Sequence, residues 1–195
     1  MKINEVINDV NIYGLENAVK VSKYAMSTDV NICTSEVTPG VKQRGKCNPG
    51  TGHNNFLLGI IVQFDLTFTI KAWTEAERYH FMDIITSQST MHRISKMDFD
   101  KTFIEYVDKR IEPILTELKE KYLETKSPED YLRLLYSCPT GLKLTAGMTT
   151  NYLQLKTIYQ QRRHHLLPDW QVVCDWIETL PRFMELTQKN YKDNA

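Results

Sequence analysis

One segment, residues 52–93, limits the possible folds of this chain more than any other. Residues 60–68 read IIVQFDLTF, and their β-branched, partly alternating pattern predicts a β-strand. Apolar side chains then recur at helical spacing, which predicts a helix over residues 74–87. Polar and titratable side chains crowd the region after the strand. A buried scaffold flanked by such groups is what a ligand site needs.

Other apolar and turn patterns along the chain predict both helices and loops. The predicted helices cover residues 15–26, 99–125 with a kink or break at Pro113, 128–136, 152–163 and 168–180. Ser127 is expected to cap the third of these, and Thr150 or Asn151 the fourth. Residues 29–52 read as a long irregular loop, and residues 139–147 as a loop with a brief extended piece. The predicted class is α+β, a single domain over residues 1–195 with a frayed tail from about residue 188.

The composition limits which kinds of partner, such as nucleic acid or a membrane, the protein is expected to bind. Lys+Arg and Asp+Glu both number 24, so the formal net charge is zero. General nucleic-acid binding needs a cationic excess and is not expected, although a local basic pocket stays open. The longest apolar stretch, residues 56–62, is too short to cross a membrane. The sequence shows no signal peptide and no C-x-x-C pair, so reduced thiols in a cytoplasm are expected.

Common catalytic and metal-binding motifs do not occur in the sequence. The GTGHNN segment precedes a predicted strand and so cannot be a dinucleotide fingerprint, which lies between a strand and a helix. His164 and His165 are adjacent, so on a helix they diverge by about 100° and cannot chelate one ion. No metal site is predicted.

Three pieces of the chain, in order, resemble motifs of the flavin-dependent thymidylate synthases, the thymidylate-synthase-complementing family. The resemblance covers about residues 15–177, most of the chain. The matching residues are Gly52-His53 with a strand ending Val62-Gln63-Phe64; Arg78-Tyr79-His80 with Gln88-Ser89 and Met91-His92-Arg93; and Pro139, Asn151 and Arg162. The second piece stands where the family carries R-H-R and then S-x-R-Y, and the third where it carries a late Pro and an Asn-to-Arg helix.

The chain also departs from the family's pattern. Tyr79 and His80 replace the second and third residues of R-H-R, and Thr86 and Ser87 stand where a Glu is expected. Met91-His92-Arg93 replaces the closing R-Y, and only Lys143 lies near the position of a further family Arg. The motifs Arg78-Tyr79-His80 and Ser87-Gln88-Ser89 are similar to those of a group of uncharacterised phage-encoded relatives.

The resemblance implies a fold, ligands and an assembly. It implies a thymidylate-synthase-complementing-protein-like fold with a mixed sheet and long helices, a homo-oligomer, specifically a tetramer, and the host cytoplasm if the protein is phage-encoded. The implied cofactor is flavin adenine dinucleotide (FAD), and the implied substrate is a pyrimidine deoxynucleotide such as deoxyuridine monophosphate (dUMP). The resemblance implies flavin contacts from His53, Arg78, His80 and Asn151, and substrate contacts from Arg78, Gln88, Ser89, Arg93 and Arg162.

Two functions follow from this resemblance, and several residues keep a plainer interpretation. The first function is a divergent flavin-dependent enzyme that modifies a pyrimidine deoxynucleotide. The second is a non-catalytic nucleotide-binding or sequestering protein on the same scaffold. Arg78 can instead pair with Glu75 or Glu77 at the surface, Asn151 can be only a helix cap, and a cation at position 162 suits a helix C-terminus without any ligand.

Overall fold

The computed structural model describes residues 1–189, with one four-stranded sheet among them. The strands are β1 (Ile7–Tyr13), β2 (Ile61–Thr69), β3 (Asp83–Ser87) and β4 (Lys143–Asn151). They lie in the order β1-β2-β4-β3. Every one of these pairings is antiparallel, so the prediction of a mixed sheet is wrong. The predicted α+β class is confirmed.

Helices account for much of the remaining described chain. They are α1 (Ile3–Val6), α2 (Leu15–Val21), α3 (Pro39–Gly45), α4 (Ile70–Ala76), α5 (Thr90–Arg93), α6 (Phe99–Thr102), α7 (Ile111–Thr125), α8 (Pro128–Tyr136), α9 (Tyr152–Arg162), α10 (Pro168–Thr179) and α11 (Phe183–Thr187). No helix within residues 1–189 has the length and apolar character needed to cross a membrane.

Strand β2 gives the sheet a buried face and a polar face. Its even-numbered residues from Val62 to Phe68 are buried, whereas Gln63, Asp65 and Thr67 are half-exposed. This period of two is what a strand packed on one side produces. Phe64 and Phe68 pack on the rings of Trp176 and Trp170 in α10, with ring centroids 4.6 and 5.0 Å apart. The main core therefore lies between the sheet and helices that include α10.

Local signals correctly predicted several elements. Strand β2 and helices α8, α9 and α10 occur where expected. The Ser127 hydroxyl accepts a hydrogen bond from the Glu129 amide at 3.2 Å, and Asn151 Oδ1 accepts one from the Gln154 amide at 3.0 Å. These caps satisfy amides that have no partner within their own helices.

The predicted helix over residues 74–87 is wrong. Thr69 caps α4, which ends at Ala76, and the chain then turns and forms β3 along the free edge of β4. Ile84, Ile85 and Thr86 are β-branched, so they suit a strand as well as their spacing suits a helix. All of β3 is exposed on the protomer.

Three other boundaries differ from the prediction. The helix expected over residues 99–125 is divided into α6 and α7, and Pro113 lies in the first turn of α7, where a missing amide costs no hydrogen bond. Residues 29–52 contain helix α3, which begins at Pro39. The extended piece expected within residues 139–147 is the full central strand β4.

A second, smaller core lies beside the main one. Its buried members are Ile94, Phe99, Leu115, Leu134 and Leu142. It joins α7 and α8 to the segment that follows β3.

The end of the described chain is held by hydrogen bonds. The Gln188 amide donates to the Met184 carbonyl at 3.0 Å, and Lys189 Nζ donates to Asn48 Oδ1 at 3.1 Å. The rest of the predicted frayed tail, residues 190–195, lies outside the described residues.

Candidate functional site

A basic pocket of about 830 Å³ opens at the end of β3. It is lined by Ser87, Gln88, Ser89, His92, Arg93, Lys96, Met97, Asp98, Lys101 and Thr102. We call this set the basic pocket. It brings together three residues predicted to bind substrate, Gln88, Ser89 and Arg93.

The charge of the basic pocket suits an anion. Three permanent cations, Arg93, Lys96 and Lys101, face one carboxylate, Asp98, which leaves a formal surplus of two positive charges. Lys101 Nζ lies 3.0 Å from Asp98 Oδ2, and this hydrogen bond lowers the pKa of Asp98. Arg93 and Lys96 form no ion pair with any residue between 1 and 189, so their charges are available to a ligand.

The end of strand β3 positions the entrance of the pocket. The Gln88 amide donates to the Thr145 carbonyl, and Gln88 Oε1 accepts from the Thr145 amide, both at 2.9 Å. Gln88 thus extends the hydrogen-bond pairing of β3 with β4 by one residue, and its side chain makes one of the two bonds. Ser89 then caps α5 by position, but its hydroxyl makes no capping bond, which leaves it free to contact a ligand.

Two side chains from α7 and α8 hold the far wall of the pocket. The Tyr131 hydroxyl donates to the Met91 carbonyl at 2.6 Å, and Lys119 Nζ donates to the Met97 carbonyl at 2.7 Å. Both carbonyls belong to the segment that carries His92, Arg93 and Lys96. Helices α7 and α8 therefore anchor the backbone of the segment that carries the pocket's cations.

We expect Tyr131→Phe to weaken anion binding in the basic pocket about two- to tenfold, because a lost hydrogen bond of about 0.5–1.5 kcal/mol frees the Met91 carbonyl. Calorimetric titration with inorganic phosphate measures the change. Tyr136→Phe, at a side chain 83% exposed on the same helix, is the matched control and should have no effect. Equal affinities for wild type and Tyr131→Phe would contradict this bracing role.

An apolar groove continues from the basic pocket between β3 and α4. Two adjoining cavities of about 280 and 230 Å³ form it, and they share Trp73, Glu77 and Ile84. The first cavity shares Ser87 and Gln88 with the basic pocket, and its other lining residues are Ile70, Thr74, Thr90, Leu144 and Ala146. The groove thus offers a ring-sized apolar surface beside a cationic end.

His80 and Arg78 lie at the turn beyond α4. His80 lines the far cavity of the apolar groove, together with Tyr79 and Met82. Arg78 is exposed and forms no ion pair with Glu75, with Glu77 or with any other described residue. Its surface-pairing interpretation therefore has no support in the geometry, and its predicted ligand role remains a prediction.

His53 and Asn151 lie apart from the basic pocket. His53 is an exposed turn residue ahead of β2. The side chain of Asn151 is occupied at the start of α9: Oδ1 accepts from the Gln154 amide, and Nδ2 donates to Gln154 Oε1 at 2.8 Å. The capping interpretation fully accounts for Asn151 within one protomer.

Arg162 also lies outside the basic pocket, in a buried cluster. It is 9% exposed, and its guanidinium carbon lies 4.3 Å from the Tyr79 ring centroid and 5.0 Å from that of Trp170. Its Nη1 is 3.8 Å from Glu75 Oε2, which also lies 3.2 Å from His165 Nε2. Within the described chain, Arg162 Nε, Glu75 Oε2 and Trp170 Nε1 are buried without a hydrogen-bond partner.

Stability should fall in acid because of Glu75. Burial raises the pKa of Glu75, but the hydrogen bond from Lys71 and the charges of His165, Lys71 and Arg162 outweigh it, so the pKa lies below the ordinary 4.5. The unfolded chain therefore takes up this proton first as the pH falls. The stabilising contribution is complete above the ordinary value and is lost as the pH falls through the lowered one.

We expect Glu75→Gln to flatten the decline in the free energy of unfolding between about pH 6 and about pH 3, measured by urea titration. Glu77→Gln changes an exposed carboxylate with no ion pair among residues 1–189 and is the control. Parallel pH profiles for wild type and Glu75→Gln would show that this carboxyl does not contribute.

Sequence reasoning did not assign Lys96, Lys101 or Trp73 to the site. Lys96 follows Arg93 by one helical turn, and that spacing could have signalled a shared basic face. Lys101 and Trp73 gave no such signal, because each reaches the site only through the folding of distant segments.

Comparisons with known proteins identify the fold. No protein-family model matches the sequence, and no curated protein gives a significant match. Solved structures do match. Flavin-dependent thymidylate synthase ThyX from Helicobacter pylori, complexed with FAD and dUMP, has 12% identity and a TM-score of 0.74 over 98% of this chain and 100% of that one.

A second solved protein shares the fold. The UMP/dUMP methylase PolB from Streptomyces cacaoi, bound with 5-Br dUMP, has 12% identity and a TM-score of 0.63 over 92% of each chain. Matches at this identity establish the fold and leave the chemistry to the chain's own residues. The thymidylate-synthase-complementing fold predicted from the three motifs is therefore confirmed.

Proposed function

We propose that this protein is a divergent flavin-dependent enzyme that modifies a pyrimidine deoxynucleotide, with dUMP as the first candidate substrate. One observation carries the proposal: a cationic pocket runs directly into an apolar groove on this fold. The two solved structures on the same fold hold FAD with dUMP in one case and 5-Br dUMP in the other.

The basic pocket fits a phosphate monoester. Such a group carries about −1.5 to −2 charges at neutral pH, which balances the pocket's surplus of two positive charges. Arg93 can offer a two-pronged guanidinium, Lys96 a point charge and Ser89 a hydroxyl. We propose these residues, with Gln88, as the substrate-binding set.

The apolar groove fits a flat ring system. Trp73 and Ile84 offer apolar surface, His80 lines the far end, and the exposed Arg78 lies two residues before His80 in the same turn. FAD, when bound, supplies a redox-active ring that can accept or donate an electron pair. We propose that the groove holds that ring and that Arg78 and His80 supply cationic or hydrogen-bonding groups beside it. His53 and Asn151 remain proposed flavin contacts only if a second protomer completes the site.

The thiols of Cys138, which is half-buried, and Cys174, which is buried, do not offer a competing chemistry. Burial raises the pKa of the Cys138 thiol to about 11 and that of the Cys174 thiol to about 12. Neither side chain is a thiolate near neutral pH. A reaction without a protein thiolate at these positions is consistent with chemistry supplied by a flavin.

We also propose that the working form is a homo-oligomer, with a tetramer as the first candidate. Every residue of β3 is exposed on one protomer, and Ile84 and Ile85 are 50% and 60% exposed. Edge strands with exposed apolar side chains are normally covered. Light scattering of the purified protein measures the mass. We propose that the protein works in a reducing cytoplasm, that of a host cell if the gene is phage-borne, because its four cysteines are free thiols. We also propose that the chain forms a single domain, as the fold favours.

The visible spectrum of the purified protein, recorded during titration with FAD, tests the proposal. We expect a bound flavin with shifted absorbance, and then loss of the C5 proton of dUMP when reduced flavin is present. A protein that binds neither FAD nor dUMP at micromolar concentrations overturns the proposal. A protein that binds dUMP but not FAD supports the second function instead, a nucleotide-binding protein without flavin chemistry.

A further inference from the structure

We infer that Arg162 is a positioning residue in this protein: it holds Tyr79, and through Tyr79 it fixes the turn that carries Arg78 and places His80 in the wall of the apolar groove. This inference rests on the proposed function. It assigns Arg162 no direct contact with the nucleotide's phosphate.

The first argument is where the guanidinium lies. Arg162 ends helix α9 and is 9% exposed, and its guanidinium carbon lies 4.3 Å from the Tyr79 ring centroid and 5.0 Å from that of Trp170. A desolvated guanidinium over two ring faces is strongly attracted to both. Arg162 does not line the basic pocket, so binding a phosphate there would require it to leave both rings.

The second argument is that no hydrogen bond from a described residue holds the guanidinium in place of the rings. Its Nη1 lies 3.8 Å from Glu75 Oε2, beyond hydrogen-bond range, and Nε has no partner among the described residues. The two ring faces and the nearby charge of Glu75 therefore stabilise this buried cation together. Arg162 and Tyr79 should depend on each other, and loss of either should release the other.

The third argument is the position of Tyr79 in the turn. Its neighbours Arg78 and His80 are exposed, whereas the Tyr79 ring points inward and packs on Phe81 and Trp170, with centroids 5.6 and 5.8 Å away. The Tyr79 amide donates to the Ala76 carbonyl at 2.8 Å, which ties the turn to α4. Tyr79 is thus the inward anchor between two outward side chains.

The binding test uses Tyr79→Leu, Tyr79→Phe, Arg162→Met, the Tyr79→Leu/Arg162→Met double variant and Arg163→Met. Arg163 is the matched control, since it is adjacent in sequence but pairs at the surface with Asp175 and Glu178. We expect Tyr79→Leu and Arg162→Met each to weaken FAD binding about five- to thirtyfold. The affinity of the double variant for FAD should be no lower than that of whichever single variant binds FAD more weakly. Tyr79 also lines the far cavity of the groove, so Tyr79→Phe, which keeps the ring face beside Arg162, is the rescue variant and should recover most of the affinity that Tyr79→Leu loses.

A second titration separates positioning from direct contact. Wild type and Arg162→Met are each titrated with dUMP and with deoxyuridine, which lacks the phosphate. We expect the ratio of the two affinities to be the same in both proteins. Loss of the preference for dUMP in Arg162→Met would show a direct phosphate contact and overturn the inference. Losses that multiply in the double variant would also overturn it.

Hydrogen exchange of ligand-free protein supplies a readout that needs no ligand. We expect faster exchange at residues 77–82 in Arg162→Met and Tyr79→Leu, and no change in Arg163→Met. Unchanged exchange at this turn would overturn the inference even if FAD binds. If the wild type binds neither FAD nor dUMP, the proposed function fails, while the exchange data still decide whether Arg162 holds the turn.

Discussion

Arg93→Ala should weaken dUMP binding by about 1.5–3 kcal/mol, roughly ten- to 150-fold, because a charge-assisted bond to phosphate is lost from the basic pocket. Arg93 forms no ion pair with residues 1–189, so its charge is not already neutralised. Lys96, one helical turn away, retains part of the attraction. Isothermal titration with dUMP measures the loss directly.

Two controls decide whether the Arg93 effect is local. Arg133→Ala removes an exposed arginine that pairs with Glu129 at 2.6 Å and does not line the pocket, and it should leave dUMP affinity unchanged. The effect should also be specific to the phosphate, so deoxyuridine should bind Arg93→Ala and wild type equally. If Arg93→Ala retained full dUMP affinity, the basic pocket would no longer be the phosphate site.

Gly45→Ala should lower the free energy of unfolding by about 3 kcal/mol, because helix α3 packs too closely on α11 to admit a methyl group. A Cβ at Gly45 would overlap the Leu186 carbonyl oxygen and lie 3.2 Å from the Phe56 ring. Backbone must move to relieve such a contact. Thermal unfolding should show the midpoint lowered by roughly 6–12 °C.

Gly40→Ala is the matched control within the same helix. A Cβ there would meet only the tip of Arg44, with Nη1 at 3.5 Å, and the Thr38 hydroxyl at 3.9 Å, both at ordinary contact distance. Alanine also forms helix better than glycine, so this variant should keep or raise stability by up to about 1 kcal/mol. Comparable losses in both variants would show that the loss at Gly45 does not come from its contact with Leu186.

Local sequence signals predicted the fold where the cause of structure lies within a short window. Ser127 ahead of Pro128 and Asn151 ahead of α9 each supply their own cap, and both helices begin where expected. Strand β2 alternates because one face is buried along its whole length. Each of these elements is specified by neighbours a few residues away.

Strand β3 shows why other elements were missed. Its apolar residues fit helical spacing, and its β-branched residues fit a strand, so the local sequence is ambiguous. The free edge of β4, which lies far along the chain, decides the outcome through the pairing of Ile84 with Met148. The same limit explains the long loop assigned to residues 29–52, because α3 is fixed largely by its contact with α11.

The candidate site likewise contains residues that are grouped by nearness in sequence and residues that only the folded chain brings together. Gln88, Ser89 and Arg93 are close in sequence, and the structure brings them together in one pocket. The surroundings of Arg162 come from Tyr79 and Trp170, which no local pattern links to it. The motif position therefore singled out Arg162 without indicating which residues it contacts.

The basic pocket lies on the seam between the two cores, and this has a consequence for how the protein melts. Ser87 and Gln88 belong to the sheet, whereas Met97 packs on the smaller core. A ligand that contacts both cores is lost when either core opens. The free energy of opening therefore rises by the contribution of ligand binding, about 2.7 kcal/mol when the ligand is at a hundredfold excess over Kd. We therefore expect calorimetry to show a broader transition for the free protein, which sharpens into one cooperative event when nucleotide is bound.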